Sequence, residues 1–428
     1  MSSTANLRWE HHLLPGGLPL RVHRRSRAQV LAARLWLRGG SSADPAGRRG
    51  SAQLLAGLLT RGCGALDAEA LADAVEGCGA ALRAEAGEDH LAISLKCASA
   101  DALALAPLLL AMAREPRLDP DQIELERQLN LQTLQRQRED PFQLAHDQLR
   151  QQLYGDGPYG HDPLGLEAEL ATIGAAELQP QVAQLGAAGA VLVLCGELPD
   201  GLIDALDADL GAKPWCSHLP TAEAGPPAML GDRLGAVEQD TEQLVLMQGC
   251  ATVPLSHPDG LPLRLLQAHL GLGMSSRLFV AMREERGLAY DVGVHMPARR
   301  GATPFVWHLS TSADRAAEAT GALQQEWERL LTTPLSDGEL ALAKAKFKGQ
   351  DAMGRQTCGQ IADRMALVLS HGLPETHVAD ALARAEQLSA QDLLEAAQRQ
   401  LRQPRLSLCG PAEALAAATA VWEQQAPS

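Results

Sequence analysis

The chain has 428 residues, which at ~100–200 residues per domain predicts about two to four domains. Hydrophobic residues make up 46% and charged residues 21% of the sequence, so globular cores are expected and general disorder is excluded. The formal net charge of −15 argues against a general nucleic-acid binder, which needs a basic face. It is compatible with an acidic cavity for basic ligands.

The predicted elements of the first half mix strands with clustered helices. We predict strands at 18–24, 29–37, 80–85, 90–97 and 191–195, and helices at 50–61, 66–76, 101–113, 120–138, 166–185 and after Pro199. In the helix at 50–61, apolar residues from Ala52 to Leu59 recur at the i, i+3, i+4, i+7 spacing of a buried face. This order is typical of an α+β layer rather than of strict βαβ winding.

The second half repeats the order of the first. We predict strands at 243–249, 288–297 and 304–311 and helices at 258–270 and 276–285, with further helices to the end. Three landmarks recur at a nearly constant distance: Val191–Gly196 as Arg405–Gly410 after 214 residues, Ser99–Asp101 as Ser312–Asp314 after 213, and Leu118 as Leu335 after 217. A fixed spacing in one order predicts a tandem duplication.

The duplication predicts an α+β fold of two tandem homologous α/β domains, each a sheet flanked by helices. We place the domains at 1–210 and 232–428, with a linker at 211–231. The linker is rich in Pro and Gly and has no hydrophobic period, so it cannot sustain a helix.

Four segments carry a resemblance to a known family: the helix Gly50–Gly62, the pair Glu126-Arg127, Gly273–Phe279 and Met282–Tyr290. Together they resemble the insulinase/pitrilysin family of zinc metallopeptidases, especially half-size members such as mitochondrial processing peptidase. The last segment is the most specific, because family members carry an Arg and a Tyr seven residues apart at this place. The resemblance covers nearly the whole chain and implies duplicated metallopeptidase half-domains.

The resemblance also implies a zinc motif, His-x-x-Glu-His, on the helix at 50–62. Two His residues at i and i+4 share a helix face and bind zinc, while the Glu between them activates water. The corresponding positions are Gln53, Ala56 and Gly57, and Thr133 stands where the family has its third ligand, a Glu. These positions have lost the zinc ligands and the general base. We therefore expect no metal, no cofactor and no zinc catalysis in this chain alone.

The other part of the family's machinery is retained in Arg283 and Tyr290. The resemblance implies that these side chains reach the substrate from the second domain and hydrogen-bond the carbonyl oxygens of a peptide. A fixed cation and a hydroxyl donor both suit a developing oxyanion. Without the resemblance, Arg283 would be interpreted as a helix-end cation and Tyr290 as a half-buried strand residue.

These observations predict a metal-free, substrate-binding subunit of a heterodimeric zinc endopeptidase. A homologous partner would supply zinc and the general base, and this chain would supply Arg283 and Tyr290. An extended peptide, favoured if it is basic, would add a strand to a sheet edge. Two alternatives stay open: a non-enzymatic scaffold, like the related core subunits of respiratory complexes, and a peptide-binding homodimer.

Composition further predicts the compartment. No apolar run reaches the ~20 residues of a membrane span, and residues 1–10 lack the apolar core of a secretion signal. The eight cysteines form no Cys-x-x-Cys pair and are irregularly spaced, which favours reduced thiols over a disulfide framework or a Cys-based zinc site. We expect a cytoplasmic protein without a membrane span.

Overall fold

The structure, a computed structural model, describes residues 8–215 and 232–425. Its strands are β1 (Glu10–Leu14), β2 (Leu18–Arg24), β3 (Val30–Arg38), β4 (Gly62–Cys63), β5 (Leu66–Asp67), β6 (Ala81–Ala86), β7 (His90–Ala98), β8 (Val191–Gly196), β9 (Leu234–Glu238), β10 (Gln243–Ala251), β11 (Asp291–His295), β12 (Pro304–Ser312) and β13 (Arg405–Gly410).

The α-helices of the described residues follow the strands in a repeated order. They are α1 (Ser51–Leu59), α2 (Ala68–Glu76), α3 (Ala102–Arg114), α4 (Pro120–Gln137), α5 (Pro141–Tyr154), α6 (Glu167–Leu170), α7 (Ala175–Gln184), α8 (Leu202–Ala212), α9 (Gly260–Gly271), α10 (Ala316–Thr332), α11 (Asp337–Met353), α12 (Cys358–Ser370), α13 (His377–Gln387), α14 (Ala390–Gln400) and α15 (Ala412–Gln425). A short π-helix, Phe279–Glu284, lies where sequence predicts an α-helix over 276–285.

Apart from β4 and β5, which form a two-stranded sheet of their own, the strands given above form two sheets of matching topology. The first has the order β1-β2-β8-β3-β7-β6, and the second has the order β11-β12-β10-β13-β9. Strands β2, β8, β3, β7 and β6 correspond to β9, β13, β10, β12 and β11, and in both sheets the first of these pairs is parallel and the others are antiparallel. The predicted α+β fold with two homologous domains is confirmed.

Burial along the strands follows their place in the sheets. The central strands β3, β8, β10 and β13 are almost wholly buried, which explains their near-continuous apolar runs. The outer strand β6 pairs only with β7 in its sheet and alternates exposed and half-buried residues. A central strand therefore has a continuous run of apolar residues, whereas an outer strand alternates between more buried and more exposed residues.

The chain forms two compact units, and each takes one segment from the opposite half of the sequence. Of the described residues, the first unit comprises 8–133, 162–215 and 353–375, and the second comprises 134–161, 232–352 and 376–425. The helices α5 and α12, which occupy equivalent places in the two repeats, are thus exchanged. The predicted domain limits at 1–210 and 232–428 stay a prediction, and most of the predicted linker, 216–231, lies outside the described residues.

In the first unit, α12 covers one face of the sheet. Ile361 and Met365 join Trp36 and Val193 in one buried apolar cluster. Arg34, on β3 and only 4% exposed, forms an ion pair with Asp363 of α12. A buried guanidinium needs such a partner, because removing one member of a buried ion pair leaves an uncompensated charge.

In the second unit, α5 has the corresponding role. Leu149 and Leu153 pack in one cluster with Val245 and Met247 of β10. The amide of Gln152 donates to the carbonyl oxygen of Leu406 at 3.2 Å, which joins the helix to β13. Each exchanged helix thus combines an apolar face with a polar contact to its sheet.

Five of the described helices and strands were not predicted from the sequence: β1, β4, β5, β9 and α5. The strand predicted at 288–297 is confined to Asp291–His295, and the helix predicted at 50–61 spans Ser51–Leu59. The shorter bounds matter for the site, because they place Tyr290 immediately before β11 rather than within a strand.

We predict that neither compact unit forms from one half of the chain alone. Fragments 1–223 and 224–428 should each lack a cooperative thermal transition, because each sheet would lose the helix that covers one of its faces. Co-expression of the fragments should restore co-purification and cooperative unfolding by circular dichroism. A single fragment that unfolds at the melting temperature of the intact chain would contradict this prediction.

Candidate functional site

Helix α1, which carries three of the four positions expected at a metal site, is fixed at its N-terminus by Asp44. The Asp44 carboxylate accepts hydrogen bonds from the backbone of Gly50 at 2.6 Å and Ala52 at 2.8 Å, and from the Ser51 hydroxyl at 2.9 Å. The first N–H groups of a helix have no acceptor within the helix, and the Asp44 carboxylate accepts from them. Its negative charge also complements the positive end of the helix dipole.

The positions predicted to have lost metal-binding chemistry differ in their surroundings. Ala56 is fully buried, whereas Gln53 and Gly57 are partly exposed. Thr133 lies on α4, and its hydroxyl donates to the carbonyl oxygen of Leu129 at 2.9 Å, one turn earlier in the same helix. A hydroxyl used in this way serves its own helix backbone.

The space beside Gly57 is taken by Glu126 of α4. A Cβ atom at Gly57 would lie 2.8 Å from the carboxyl carbon of Glu126 and closer still to one of its oxygens. Glu126 is 8% exposed, and its carboxylate accepts a hydrogen bond from Arg61 Nε at 2.6 Å. An ion pair thus stands beside the position where the family carries its second His.

Asn130, one turn after Glu126 on α4, adds a buried polar group between Glu126 and Thr133. It is 7% exposed, and among the described residues its side-chain nitrogen has no hydrogen-bond partner. Positions 126, 130 and 133 share one face of the helix by their spacing. Glu126 was only a family cue in the sequence, and neither Arg61 nor Asn130 was predicted, because the Arg61–Glu126 contact joins distant segments and the burial of Asn130 has no signal in the sequence.

These side chains do not fit a zinc ion. Ala56 and Gly57 have no donor atom, an amide such as that of Gln53 is a poor zinc ligand, and the Thr133 hydroxyl is bonded within its own helix. Across residues 8–215 and 232–425, no group of three or more His, Cys, Asp or Glu side chains could hold a metal ion. We therefore derive no reaction step through a metal bound to this chain.

In the second unit, the structure brings Arg283 and Tyr290 together. Arg283 Nη1 donates to the carbonyl oxygen of Tyr290 at 3.0 Å. The guanidinium carbon lies 5.4 Å from the centre of the Tyr290 ring and 4.9 Å from the centre of the Phe279 ring. Cation–π attraction from two rings and one hydrogen bond therefore hold the guanidinium in place.

The Arg283–Tyr290 pair lies on a supported segment. Arg277, earlier in the same segment, forms an ion pair with Glu326 of α10 at 2.6 Å, and both side chains are 8% exposed. Burial lowers the pKa of Arg277, although its Glu326 partner opposes this shift. The backbone N–H of Tyr290 donates to Ser310 of β12 at 3.2 Å. Both ends of the pair are thus anchored to regular elements.

Exposure distinguishes the two interpretations of Tyr290 made from the sequence. Its side chain is 82% exposed, so the interpretation as a half-buried strand residue is wrong. Arg283 is also exposed, in the last turn of the π-helix. Single π-helical turns are frequent at functional sites, and this one directs Arg283 toward Phe279 and Tyr290. Phe279 was quoted as part of a motif but not predicted as a site residue.

Two homologous α/β units, one carrying α1 beside Glu126 and the other an exposed Arg–Tyr pair, agree with the metallopeptidase-like class that the sequence resembles. Family models match residues 22–165, described as insulinase (peptidase family M16), and residues 187–347, described as peptidase M16 inactive domain. The chain belongs to peptidase family M16. The resemblance proposed from sequence is confirmed.

Similar proteins span most of the chain. A Mycobacterium tuberculosis protein named as an uncharacterized zinc protease is 24% identical over 82% of this chain and 81% of its own length. A Streptomyces coelicolor protein of the same description is 22% identical, over 93% of this chain and 88% of its own.

Solved structures share the fold at low sequence identity. A Pseudomonas fluorescens structure described as a peptidase M16 inactive domain has a TM-score of 0.85 and 24% identity, covering 95% of this chain and 98% of its own. A Helicobacter pylori protease has a TM-score of 0.83 and 18% identity, with coverages of 95% and 100%. In the part of the chain that the structure describes, no helix is both long and apolar enough to cross a membrane.

The contact between Gly57 and Glu126 predicts that Gly57→Ala changes the free energy of unfolding in opposite directions in the wild type and in a Glu126→Ala background. Ala is favoured over Gly in a helix interior by about 1 kcal/mol, but in the wild type the overlap with Glu126 should make Gly57→Ala destabilising. In a Glu126→Ala background, the same change should stabilise by about 0.5–1 kcal/mol. Chemical denaturation would measure both values.

Gly349→Ala is the matched control, because Gly349 lies in α11 and an added Cβ atom would meet nothing within 4 Å. This control change should stabilise the protein in either background by about the difference in helix propensity between Ala and Gly, about 1 kcal/mol. Equal stabilisation by Gly57→Ala with and without Glu126 would show that the carboxylate does not restrict this position.

Proposed function

We propose that this chain is the metal-free, substrate-binding subunit of a heterodimeric zinc endopeptidase of family M16. The observation that carries the proposal is a contrast within one chain. The positions of the metal site lack ligands and border the Glu126–Arg61 ion pair, whereas Arg283 and Tyr290 remain exposed and held together. A partner subunit would bring the His-x-x-Glu-His motif, zinc and the general base.

The Arg–Tyr pair can bind a peptide carbonyl with little rearrangement. The guanidinium has five N–H donors, one of which is engaged with the Tyr290 carbonyl oxygen. Among the described residues, the Tyr290 hydroxyl has no hydrogen-bond partner, so it too can donate. Donors fixed before the substrate arrives stabilise developing negative charge most effectively. In this proposal Arg283 and Tyr290 hold the peptide and polarise its carbonyl group.

A peptide could be held in extended form beside this pair. Strand β11 begins at the residue after Tyr290 and pairs only with β12 in its sheet, which leaves one side of its backbone unpaired within that sheet. Adding a strand there would use main-chain hydrogen bonds, which demand little of the peptide sequence. The net charge of −15 favours basic peptides, and a cytoplasmic location remains part of the proposal.

A scaffold function is the second candidate. A chain of complex III from Candida albicans shares the fold with a TM-score of 0.77 at 15% identity, covering 94% of this chain and 95% of its own. That likeness concerns the fold alone. A scaffold has no need for an exposed, prearranged Arg–Tyr pair, so the geometry of Arg283 and Tyr290 favours peptide binding. A peptide-binding homodimer would use the same pair without turnover.

The proposal predicts that activity requires both subunits and depends on the Arg–Tyr pair. This chain should be purified alone and together with a homologue from the same genome that carries the zinc motif. In the mixed complex, Arg283→Ala should lower kcat/KM by about 100-fold, and Tyr290→Phe by about 10-fold, because each removes a donor to the substrate carbonyl.

The matched control is Arg286→Ala, which removes an exposed arginine three residues away and should leave kcat/KM within about twofold. Cleavage by this chain alone that a chelator abolishes would refute the proposal. Unchanged cleavage by both variants in the mixed complex would leave Arg283 and Tyr290 with a structural role. Peptide binding without turnover by a homodimer would support the third alternative.

A further inference from the structure

Two cysteines that are far apart in sequence meet where α12 covers the first sheet. Seven of the eight cysteines lie in the described residues, each as a free thiol. Cys195 lies near the end of β8 and is fully buried, and Cys358 is the first residue of α12 and is 8% exposed. Both belong to the buried cluster between the sheet and α12, and Cys358 is a neighbour that contributes to the raised pKa of Cys195.

Arg25 places these two thiols together by independent contacts. Its backbone N–H donates to the carbonyl oxygen of Gly196, the residue after Cys195, at 2.7 Å. Its guanidinium Nη1 donates to Cys358 Sγ at 3.8 Å. One residue thus bridges the end of β8 and the start of α12. The Thr357–Gln360 capping box fixes the first turn of α12, and with it the backbone position of Cys358.

The surroundings give the two thiols different reactivity. Burial, with the neighbouring Cys358 as a second cause, raises the pKa of the Cys195 thiol to about 12, so at neutral pH Cys195 is a protonated thiol. Cys358 stands at the first residue of α12 beside the Arg25 guanidinium and keeps 8% exposure, so a small oxidant reaches it before it reaches the fully buried Cys195. Arg34 also faces Cys195 from β3.

We propose that Cys195 and Cys358 are a redox modification site that forms an intramolecular disulfide under peroxide. Cys358 attacks hydrogen peroxide, its sulfur takes one oxygen to become a sulfenic acid, and water leaves. The Cys195 sulfur then attacks the Cys358 sulfur and the S–O bond of Cys358 breaks. The departing hydroxyl takes the proton of the Cys195 thiol and leaves as a second water, and the S–S bond forms. The two thiols are oxidised by two electrons in total and one peroxide is reduced to two waters.

The disulfide would join the first sheet covalently to a helix of the second repeat. The bond spans 163 positions of sequence, so it restricts the unfolded chain strongly. It also gives Cys358 a resolving thiol, which favours disulfide over sulfinic acid. The consequence is a chain that holds α12 in place more firmly when it is oxidised than when it is reduced.

The experiment uses the full chain with Cys78→Ser and Cys216→Ser, which removes one exposed thiol and the one cysteine outside the described residues. After treatment with hydrogen peroxide, intact mass should fall by two hydrogens, and peptide mapping should find Cys195 linked to Cys358. The melting temperature should rise by about 5–10 °C and return after reduction with dithiothreitol.

Control variants separate this pair from the other thiols. Cys195→Ser and Cys358→Ser should each abolish the loss of two hydrogens and the rise in melting temperature, whereas Cys97→Ser, a change at another buried thiol, should retain both. Because Cys195→Ser keeps Cys358, it should accumulate sulfenic acid that dimedone traps. Mapping that finds Cys195 and Cys358 reduced, or linked to other cysteines, would overturn the proposal, as would an unchanged melting temperature after their linkage.

Discussion

Each of the two sheets depends on a helix from the opposite half of the chain to cover one of its faces. In the first unit α12 buries Trp36 and Val193, and in the second α5 packs against β10 and β13. A sheet face of this kind cannot stay in water, because its apolar area drives burial and its central strands are apolar runs. The ion pair between buried Arg34 and half-exposed Asp363 adds a specific contact to that burial. The duplication therefore built two units that share their helices rather than two independent domains.

The two units differ in the side chains at the equivalent of a functional site. On α1, small and amide side chains stand where the resemblance implies metal ligands, and the carboxylate of Glu126, paired with Arg61, lies beside Gly57. A buried carboxylate needs a partner for its charge, and Arg61 supplies one. In the other unit, Arg283 is held by two aromatic rings and a carbonyl oxygen while its surface stays exposed. The two units thus differ by local changes in side chains on a common fold.

Much of the fold could be predicted from the sequence because its signals are local. The apolar spacing of α1, the apolar runs of β8 and β13 and the repeated landmarks all survive in the structure. The outer strands β1 and β9 are short, and α5 is rich in Gln, so none of them gave a strong period. The family resemblance predicted Arg283 and Tyr290, whereas the pairing of Arg61 with Glu126 joins segments that no local pattern connects. Phe279 lies only four residues before Arg283 and stood in a quoted motif, but its ring contact was not predicted. The exchange of helices has no local signal at all.

The helix exchange also sets the order in which the protein can mature during synthesis. The first unit includes residues 353–375, so its sheet is translated long before the helix that covers it. Until α12 leaves the ribosome, the face formed by Trp36, Val193 and Cys195 has no cover from its own chain. Such a nascent intermediate is prone to aggregation, and it is the kind of surface that chaperones hold. Biogenesis of this fold is therefore a late, nearly whole-chain event, unlike the domain-by-domain folding expected of a simple tandem repeat.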